Sequence, residues 1–296
     1  MKRDFLRLSD FTPAEHAALF RRARELKEAR RRGQVVSTLA GRTLLLLFEK
    51  HSTRTRLSFE AAMGQLGGSA ITLPMQDSQI SRGESLADTG AVASRYVDAI
   101  MYRTFGDDRL RELARAASVP VINGLSDGGH PVQLLADLFT AEERLGPLAG
   151  KVVAWVGDGA SNMALSWIEA APLFGFTLRI SAPEGFRPAR GSGFELIADP
   201  REAVRDADAV TTDVWISMGQ EKEAAARRKA FGGYCVDEAL LALAKPSAIV
   251  LHCLPAHRGE EISAGVIDGP QSAVLDEAEN RMHVQKALLE ALILGR

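Results

Sequence analysis

The sequence predicts an α/β protein with two doubly wound domains, each built on a central parallel sheet, and three observations support this. Short apolar runs of strand length alternate with segments of helical period. The runs are apolar at nearly every position, as expected for strands that are buried on both faces. The alternation occurs twice, and a chain of 296 residues is long enough for about two domains of ~150 residues each.

The first series of apolar runs predicts four strands, which we expect at 43–48, 70–74, 98–102 and 119–124. They define a predicted first domain over residues 1–130, which the C-terminal helix 277–296 is expected to complete. The segment that begins "HPVQLLADLF" predicts a long helix over 131–149 that joins the two domains.

The second series predicts four further strands, which we expect at 151–157, 177–183, 208–215 and 248–255. They define a predicted second domain over residues 150–276. In open parallel sheets, ligands bind beyond the carboxyl ends of the strands. The residues that follow each strand are therefore the candidates for function, and we expect a cleft between the domains.

The composition argues against nucleic acid and membranes as partners. Lys and Arg total 36 against 38 for Asp and Glu, and the formal net charge of −2 provides no global attraction to polyanions. No apolar stretch reaches the ~18 residues of a membrane span, and the N-terminus lacks a signal-peptide core. The only two cysteines, Cys235 and Cys253, fit a reducing cytosol, so we expect a cytoplasmic protein.

The segment "EKHSTRTR" follows the first predicted strand. If a helix begins near Ser52 and Thr53, its first amides have no partner within the helix and favour an anion. The hydroxyl of Thr55 would add a neutral donor, and Arg54 and Arg56 would add charge with bidentate geometry. The segment therefore predicts a phosphate or carboxylate site without a P-loop, although a capped surface helix with solvated arginines is the alternative.

Two further candidates follow the third and fourth strands. Arg103 lies at the end of the third strand, where an arginine taken alone is more often a salt-bridge partner than a ligand. His130 and Gln133 open the long helix after Gly128 and Gly129, and their spacing places them on one helix face. A histidine and a glutamine in this position favour function over a purely structural role.

The second half offers an amide and a carboxylate at strand ends. "VGDGASNMA" begins like a dinucleotide fingerprint, but Asn162 occupies the position of the third glycine, so the nicotinamide interpretation is weak. Asn162 could instead bind a carboxylate. Asp213 could hold an ammonium group or cap the following helix, and the motif alone leaves both open.

Three other residue types have ordinary structural explanations when they are considered alone. Cys253 could be inert packing in an α/β core, and Arg281 could be a solvated helical arginine. His252 and His257 lack the spacing and partners of a zinc site.

Taken in order, the motifs "STRTR", "YRTFG", "HPVQ", "DVWISMGQE", "HCLPAHRGEEI" and "ENRMH" resemble the ornithine branch of the aspartate/ornithine carbamoyltransferase family. The resemblance extends from about residue 5 to the C-terminus. It implies transfer of the carbamoyl group from carbamoyl phosphate to the δ-amine of L-ornithine, giving L-citrulline and phosphate in arginine biosynthesis. The direction of the reaction in the cell stays open.

The resemblance also implies residue roles, with no metal and no cofactor. The residues that would bind carbamoyl phosphate are Ser52, Thr53, Arg54, Thr55, Gln79, Arg103, His130, Gln133, Cys253, Leu254 and Arg281. Of these, Arg103, His130 and Cys253 would be catalytic. Gln79 would come from a neighbouring subunit, which implies a homotrimer with shared active sites. The residues that would bind ornithine are Leu125, Asn162, Asp213, Ser217 and Met218. The first domain would thus bind carbamoyl phosphate, and the second would bind ornithine.

The segment "ASNMALSW" departs from the family pattern, because Ser161 and Leu165 replace polar residues usual at these positions. This leaves another amine open, such as putrescine or an N-acylated ornithine, while "HCLP" and "SMG" disfavour aspartate. From other classes, a nicotinamide-dependent dehydrogenase and a catalytically silent scaffold stay as alternatives.

Overall fold

The computed structural model describes residues 2–189, 191–217 and 219–295, apart from the side chain of Glu221. The chain packs into two compact units. Unit 1 contains the chain up to Leu135 and again from Glu279 onward, and unit 2 contains Ala136–Ala278. Each unit has a parallel sheet flanked by helices, which confirms the predicted fold class. The domain ranges given above stay predictions.

Unit 1 contains four strands and the helices that connect them. The strands are β1 (Thr43–Phe48), β2 (Ser69–Pro74), β3 (Ala99–Arg103) and β4 (Val121–Leu125). The helices are α1 (Pro13–Arg31), α2 (Thr53–Gln65), α3 (Leu86–Ala93), α4 (Asp107–Ala116) and the start of α5 (Pro131–Leu145). Short 3₁₀ helices lie at Leu8–Asp10, Met75–Asp77 and Gln79–Arg82.

The strand order in unit 1 is β2-β1-β3-β4, with every pair parallel. The chain moves outward from β1 to β2 and then crosses back to β3 on the other side. The carboxyl ends of β1 and β3 therefore form a topological switch point, where open α/β sheets bind ligands. Leu44–Phe48 of β1 are all buried, which explains the unbroken apolar run in the sequence.

Unit 2 contains five strands, and its helices are mostly short. The strands are β5 (Val152–Val156), β6 (Thr177–Ser181), β7 (Glu195–Leu196), β8 (Ala209–Thr212) and β9 (Ile249–His252). The helices are α6 (Asn162–Phe174), α7 (Pro200–Val204), α8 (Ala224–Ala230), α9 (Glu238–Leu241), α10 (Ala264–Ile267) and the start of α11 (Val274–Leu294), and a 3₁₀ turn covers Glu221–Glu223.

The strand order in unit 2 is β7-β6-β5-β8-β9, again with every pair parallel. Its switch point lies between the carboxyl ends of β5 and β8. The sequence did not predict β7, because both of its residues are exposed and form no apolar run.

The boundary between the units falls within α5 and within α11, so both helices contribute residues to both units. The predicted helix over 131–149 ends at Leu145, because Gly146 adopts a left-handed φ of 76° and Pro147 follows. Among the described helices, none has both the length and the apolar character needed to cross a bilayer.

Candidate functional site

Three strand ends meet at the switch point of unit 1. Phe48 pairs with Arg103 and Arg103 pairs with Leu125, so the last residues of β1, β3 and β4 are neighbours. Arg103 is only 7% exposed, and Leu125 is also buried. A guanidinium group thus lies at the edge of the sheet where a ligand is expected. The predicted role of Leu125 against an aliphatic chain stays a prediction.

Helix α2 begins beside these strand ends. Ser52 is its N-cap, and the Ser52 hydroxyl oxygen accepts from the amide of Thr55 at 3.3 Å. Thr53 and Arg54 occupy the first turn, where the amides and the helix dipole favour an anion. Arg56 forms an ion pair with Glu60 on the same helix, which offsets the charge that the sequence analysis assigned to anion binding.

Arg281 joins three elements of unit 1. It donates through Nη2 to Oγ1 of Thr55 at 2.9 Å and through Nη1 to Oε1 of Gln133. Arg281 and Thr55 are 3% and 1% exposed. The structure therefore brings together residues of α2, α5 and α11 that the sequence analysis assigned to one ligand, and Arg281 is not a solvated helical arginine.

His130 lies immediately before α5 and is buried. Burial lowers the pKa of His130 well below its usual value, and the positive charges of Arg281, Arg103 and Arg54 lower it further. The imidazole is therefore neutral at physiological pH and can donate one hydrogen bond without adding charge. The three arginines whose charges act on His130 were all predicted to bind the same anion.

Glu49 organises the strand ends, although the sequence analysis did not select it. Its carboxylate accepts from the Tyr102 hydroxyl, from Thr104 at 2.7 Å and from Arg109 at 2.6 and 2.9 Å. Its amide donates to the carbonyl of Arg103. Burial opposes ionisation, but these hydrogen bonds outweigh it and lower the pKa of Glu49. The position of Glu49 directly after β1, within "FEKHSTRTR", was the available signal.

Gln79 follows β2 in the chain. It is exposed and begins the 3₁₀ helix Gln79–Arg82. Its predicted role in a neighbouring subunit stays a prediction.

The switch point of unit 2 carries an amide at a helix start. Asn162 is the first residue of α6, and the Ser161 side chain caps that helix by accepting from the amide of Ala164 at 3.2 Å. Ser161 therefore has a structural role that explains a hydroxyl at this position. Leu165 lies one turn further along α6, and it supplies no polar atom beyond its backbone.

Asp213 follows β8, and its carboxylate is held by two donors. Oδ1 accepts from the amide of Val214 at 2.8 Å and from the Cys253 thiol at 3.2 Å. The helix after it, α8, has Glu223 as its N-cap, so Asp213 does not cap that helix. Burial raises the pKa of Asp213. Burial also raises the pKa of Cys253 well above its usual value, with Asp213 adding to it, so Cys253 is a neutral thiol that donates.

His252 and Glu261 brace the turn that carries Cys253 and Leu254. The amide of Leu254 donates to Nδ1 of His252 at 2.9 Å, and Nε2 lies 3.2 Å from Oε1 of Glu261. Because Nδ1 accepts, the proton sits on Nε2 and is donated to Glu261. Leu254 has a φ of 57°, a left-handed conformation that is unfavourable for leucine. The sequence alone suggested only a zinc ligand to be tested at His252, and no local pattern indicated this bracing role.

The segment after Asp213 carries the remaining predicted ornithine ligands. Met218 lies outside the described residues. Ser217 is partly buried, and its amide donates to Oε1 of Gln220 at 3.0 Å. Helix α8 follows, and its Arg227 forms a buried ion pair with Asp158, at 2.9 and 3.0 Å, at the carboxyl end of β5. This ion pair links α8 to the carboxyl end of β5, at the switch point of unit 2.

Asp213, His252 and Cys253 also offer three potential metal-ligand atoms within 4.8 Å of one another. The sequence spacing did not reveal this proximity. In the structure the three groups are engaged in hydrogen bonds, since the thiol donates to Asp213 and both nitrogens of His252 have protein partners. The arrangement suits a hydrogen-bonded polar cluster, because a metal would have to displace these bonds.

The second glycine of "GDG", Gly159, is explained by local packing. A Cβ at Gly159 would lie 2.7 Å from Cδ of Pro188 and 3.1 Å from a methyl group of Ile180. The close approach of these side chains requires glycine there without a dinucleotide. This weakens the sequence argument for a nicotinamide enzyme further.

Two family models together match most of the chain. The model described as the carbamoyl-P binding domain of aspartate/ornithine carbamoyltransferase matches residues 3–143, and the one described as the Asp/Orn binding domain matches residues 149–292.

Individual relatives cover almost the whole chain. The ornithine carbamoyltransferase of Halorhodospira halophila is 55% identical over 299 residues, which is 99% of this chain and 99% of that protein. The ornithine carbamoyltransferase of Geobacter metallireducens is 52% identical over 303 residues, with coverage of 99% and 100%. The solved ornithine carbamoyltransferase from Pyrococcus furiosus has a TM-score of 0.94 at 48% identity, covering 99% of this chain and 97% of that one. The one from Burkholderia thailandensis has a TM-score of 0.92 at 47% identity, covering 99% of both.

Proposed function

The chain belongs to the aspartate/ornithine carbamoyltransferase family, and we propose that it transfers the carbamoyl group of carbamoyl phosphate to the δ-amine of L-ornithine. The products are L-citrulline and phosphate, as in arginine biosynthesis. The observation that carries the proposal is the cluster of Arg103, Arg281 and neutral His130 beside the capped start of α2.

This cluster suits carbamoyl phosphate because the substrate has a dianionic phosphate and a neutral carbamoyl group. The amides and hydroxyls of Ser52, Thr53 and Thr55, with Arg54, bind the phosphate. Arg103 bridges the phosphate and the carbamoyl oxygen, and His130 donates to that oxygen. Gln133 accepts from the carbamoyl amine, and Arg281 lies over the same group. A protein of net charge −2 thereby concentrates positive potential at one strand edge.

Unit 2 supplies the groups for the amino acid. The Asp213 carboxylate holds the α-ammonium group of ornithine, and a bound cation favours its ionised form. Asn162, with the backbone of Ser217 and Met218, binds the α-carboxylate. Cys253 and Leu254 lie near the carbamoyl amine and the incoming δ-amine.

The reaction proceeds by attack of the neutral δ-amine on the carbamoyl carbon. A C–N bond forms, and negative charge develops on the carbamoyl oxygen, where Arg103, Thr55 and His130 stabilise it. One such donor is typically worth about 3–4 kcal/mol. The C–O bond to phosphate then breaks, and the amine proton passes to the departing phosphate. This scheme uses no metal and no organic cofactor.

We further propose that three copies assemble and share active sites, with Gln79 of one subunit completing the site of its neighbour. The exposure of Gln79 supports this, as do two apolar side chains at the edge of unit 1: Leu57 is 61% exposed on α2, and Ile71 is 51% exposed on the edge strand β2. Both cysteines are free, which supports a cytoplasmic location.

Hybrid assemblies test the shared site. Gln79→Ala and Arg103→Ala are each expected to have low activity. Mixed trimers would nevertheless contain some sites with both residues, Arg103 from one subunit and Gln79 from its neighbour. Mixing after mild dissociation should restore part of the activity, and light scattering should report three chains per particle. A monomer of full activity would contradict the assembly.

The identity of the amine is tested by a panel of ornithine, putrescine, N-acetylornithine and aspartate with carbamoyl phosphate. Asp213 favours a free α-ammonium group and Asn162 favours a carboxylate, so ornithine should react fastest and yield citrulline. Preference for putrescine would overturn the assignment of the carboxylate site. No product with any amine would favour a scaffold role.

A further inference from the structure

Unit 1 contains a cavity of about 320 Å³ away from its strand ends, which we call the α1–α2 cavity. It is lined by Leu26 and Arg30 of α1, the segment 33–37, the end of α2 around Gln65, and Lys286 of α11. Thr53 and Gln65 are the two ends of α2, so at 1.5 Å per residue the cavity is roughly 18 Å along the helix from the site at Ser52. Its volume lies within the range of small-molecule sites, roughly 300–1,000 Å³.

The charge of the cavity lining is entirely positive. Lys286 is only 2% exposed, and its ammonium donates to Oε1 of Gln65 at 2.8 Å. Arg30 supplies a second cation, and no Asp or Glu occurs among the described lining residues. Two basic groups thus face one volume without an acidic side chain in its wall.

Two carboxylates, Glu290 and Glu279, act on Lys286 through their negative charge, and both have other partners. Glu290 accepts from Arg22 at 2.6 and 3.0 Å and also from Thr38. Glu279 lies 3.3 Å from Nε2 of His283. Burial, and after it the charge of Arg30, lower the pKa of Lys286 to about 8 despite these two carboxylates. An ammonium in this position is costly for the folded protein, and a bound anion would offset that cost.

The cavity is also kept open by a small residue. Gly64 lies in the last turn of α2, and a Cβ placed there would meet no heavy atom within 4 Å. Glycine is unfavourable in a helix interior, so a glycine at position 64 lowers the stability of α2 while it keeps the cavity open. Leu26 and Val36 add apolar surface beside the two cations, as in ligand sites that combine an apolar wall with a few polar groups.

We propose that the α1–α2 cavity binds a small oxyanion, a phosphate or an aliphatic carboxylate, through Lys286 and Arg30. The site is separate from the strand-end cluster and does not depend on the transferase function proposed above.

Calorimetric titration tests this with two probes, inorganic phosphate and valerate. The full-length protein carries Arg103→Ala, which weakens phosphate binding at the strand ends. Lys286→Met should reduce affinity at least tenfold, Arg30→Gln should reduce it less, and Arg31→Gln, an exposed neighbour on α1, should leave it unchanged. Tighter binding of valerate would identify a carboxylate site, and tighter binding of phosphate would identify a phosphate site.

Two further readouts separate a ligand site from a structural lysine. Valerate affinity should fall as pH rises from 7 to 9.5, because Lys286 loses its proton near pH 8. Gly64→Leu, which fills the cavity and keeps both cations, should also abolish binding. Lys286→Met should leave Tm at pH 7 unchanged or higher. Failure of both probes to bind, or undiminished binding by either Lys286→Met or Gly64→Leu, would overturn the proposal.

Discussion

The two units place opposite charge at the same topological position. At the switch point between β1 and β3, unit 1 presents arginines and a neutral histidine. At the switch point between β5 and β8, unit 2 presents the carboxyl group of Asp213 and the amide of Asn162, while Asp158 is paired with Arg227. The parallel sheet fixes where a ligand binds, while the residues after each strand determine which ligand it is.

The difference assigns one substrate to each unit. A cationic strand end selects a phosphorylated donor, and an acidic strand end with a helix-start amide selects an amino acid with free ammonium and carboxylate groups. Substitutions at these strand-end groups should therefore separate the two substrates: changes to the arginines of unit 1 should affect carbamoyl phosphate, and changes to Asp213 or Asn162 of unit 2 should affect ornithine.

The largest effect is expected from Arg103→Ala in unit 1. Loss of a donor to the developing oxyanion should lower kcat by about 10²–10³-fold. Steady-state citrulline assays measure this, with circular dichroism to verify folding. Arg115→Ala, an exposed arginine on α4, is the matched control. Near-normal turnover by Arg103→Ala would remove this residue from the reaction.

A smaller, substrate-specific effect is expected from Asp213→Asn in unit 2. A hydrogen bond to a charged group is worth about 1.5–3 kcal/mol, so KM for ornithine should rise by about 10–100-fold. The dissociation constant of carbamoyl phosphate, measured without amine, should not change. If both constants moved together, the assignment of one substrate to each unit would be wrong.

The pH dependence of KM for ornithine tests the role assigned to Asp213 in unit 2. The pKa of Asp213 is raised by burial, so its neutral acid persists to higher pH than in an exposed aspartate. Because only the carboxylate holds an ammonium, KM for ornithine should increase as pH falls through this raised pKa. Asp213→Asn should abolish this increase in KM at low pH. The same increase in the variant would exclude Asp213 as its cause.

His252 should have a moderate effect through Leu254. His252→Ala leaves the partly buried Leu254 amide without its acceptor, and an unsatisfied donor costs up to about 1–3 kcal/mol when it is buried. We expect kcat to fall about tenfold or more, with carbamoyl phosphate affinity unchanged. His252→Asn offers an oxygen near the position of Nδ1 and should recover part of the rate. Equal losses in both variants would contradict a role through that hydrogen bond.

The smallest effect is expected from Glu49→Gln, which should cost about 1–2 kcal/mol in the free energy of unfolding. Glu49 has a lowered pKa in the folded protein, so its stabilisation is present above the unfolded pKa of about 4.3 and is lost as pH falls through the folded value. Urea unfolding at pH 7 and pH 3 measures this, with exposed Glu112→Gln as control. A penalty that is no smaller at pH 3 than at pH 7 would point to packing instead of charge.

Much of the fold followed from local patterns in the sequence. The run "TLLLLF" predicted β1 because a strand buried on both faces is apolar throughout. Ser52 and Ser161 lie at helix starts, since a hydroxyl there satisfies a free amide. The two exposed residues of β7 have no such pattern, so β7 could not be predicted.

The site was predictable only where its residues follow strands. Arg103 and Asp213 come directly after buried runs, so their positions made them candidates for ligand binding, although the local sequence left a salt bridge open for Arg103 and a helix cap open for Asp213. The bond between Arg281 and Thr55 joins residues 226 positions apart, and that between Asp213 and Cys253 spans 40 positions. Local patterns carry no information about such pairs, so they required either the fold or a family resemblance.

A single-turnover experiment with carbamoyl phosphate labelled with ¹³C at the carbamoyl carbon tests the central claim most directly. Excess enzyme is mixed with labelled donor and ornithine, and the products are followed by ¹³C NMR. We predict that the label appears in the ureido carbon of citrulline, with one phosphate released for each label transferred. Appearance of the label only in cyanate and bicarbonate, the products of uncatalysed breakdown, at the rate seen without enzyme, would contradict the account.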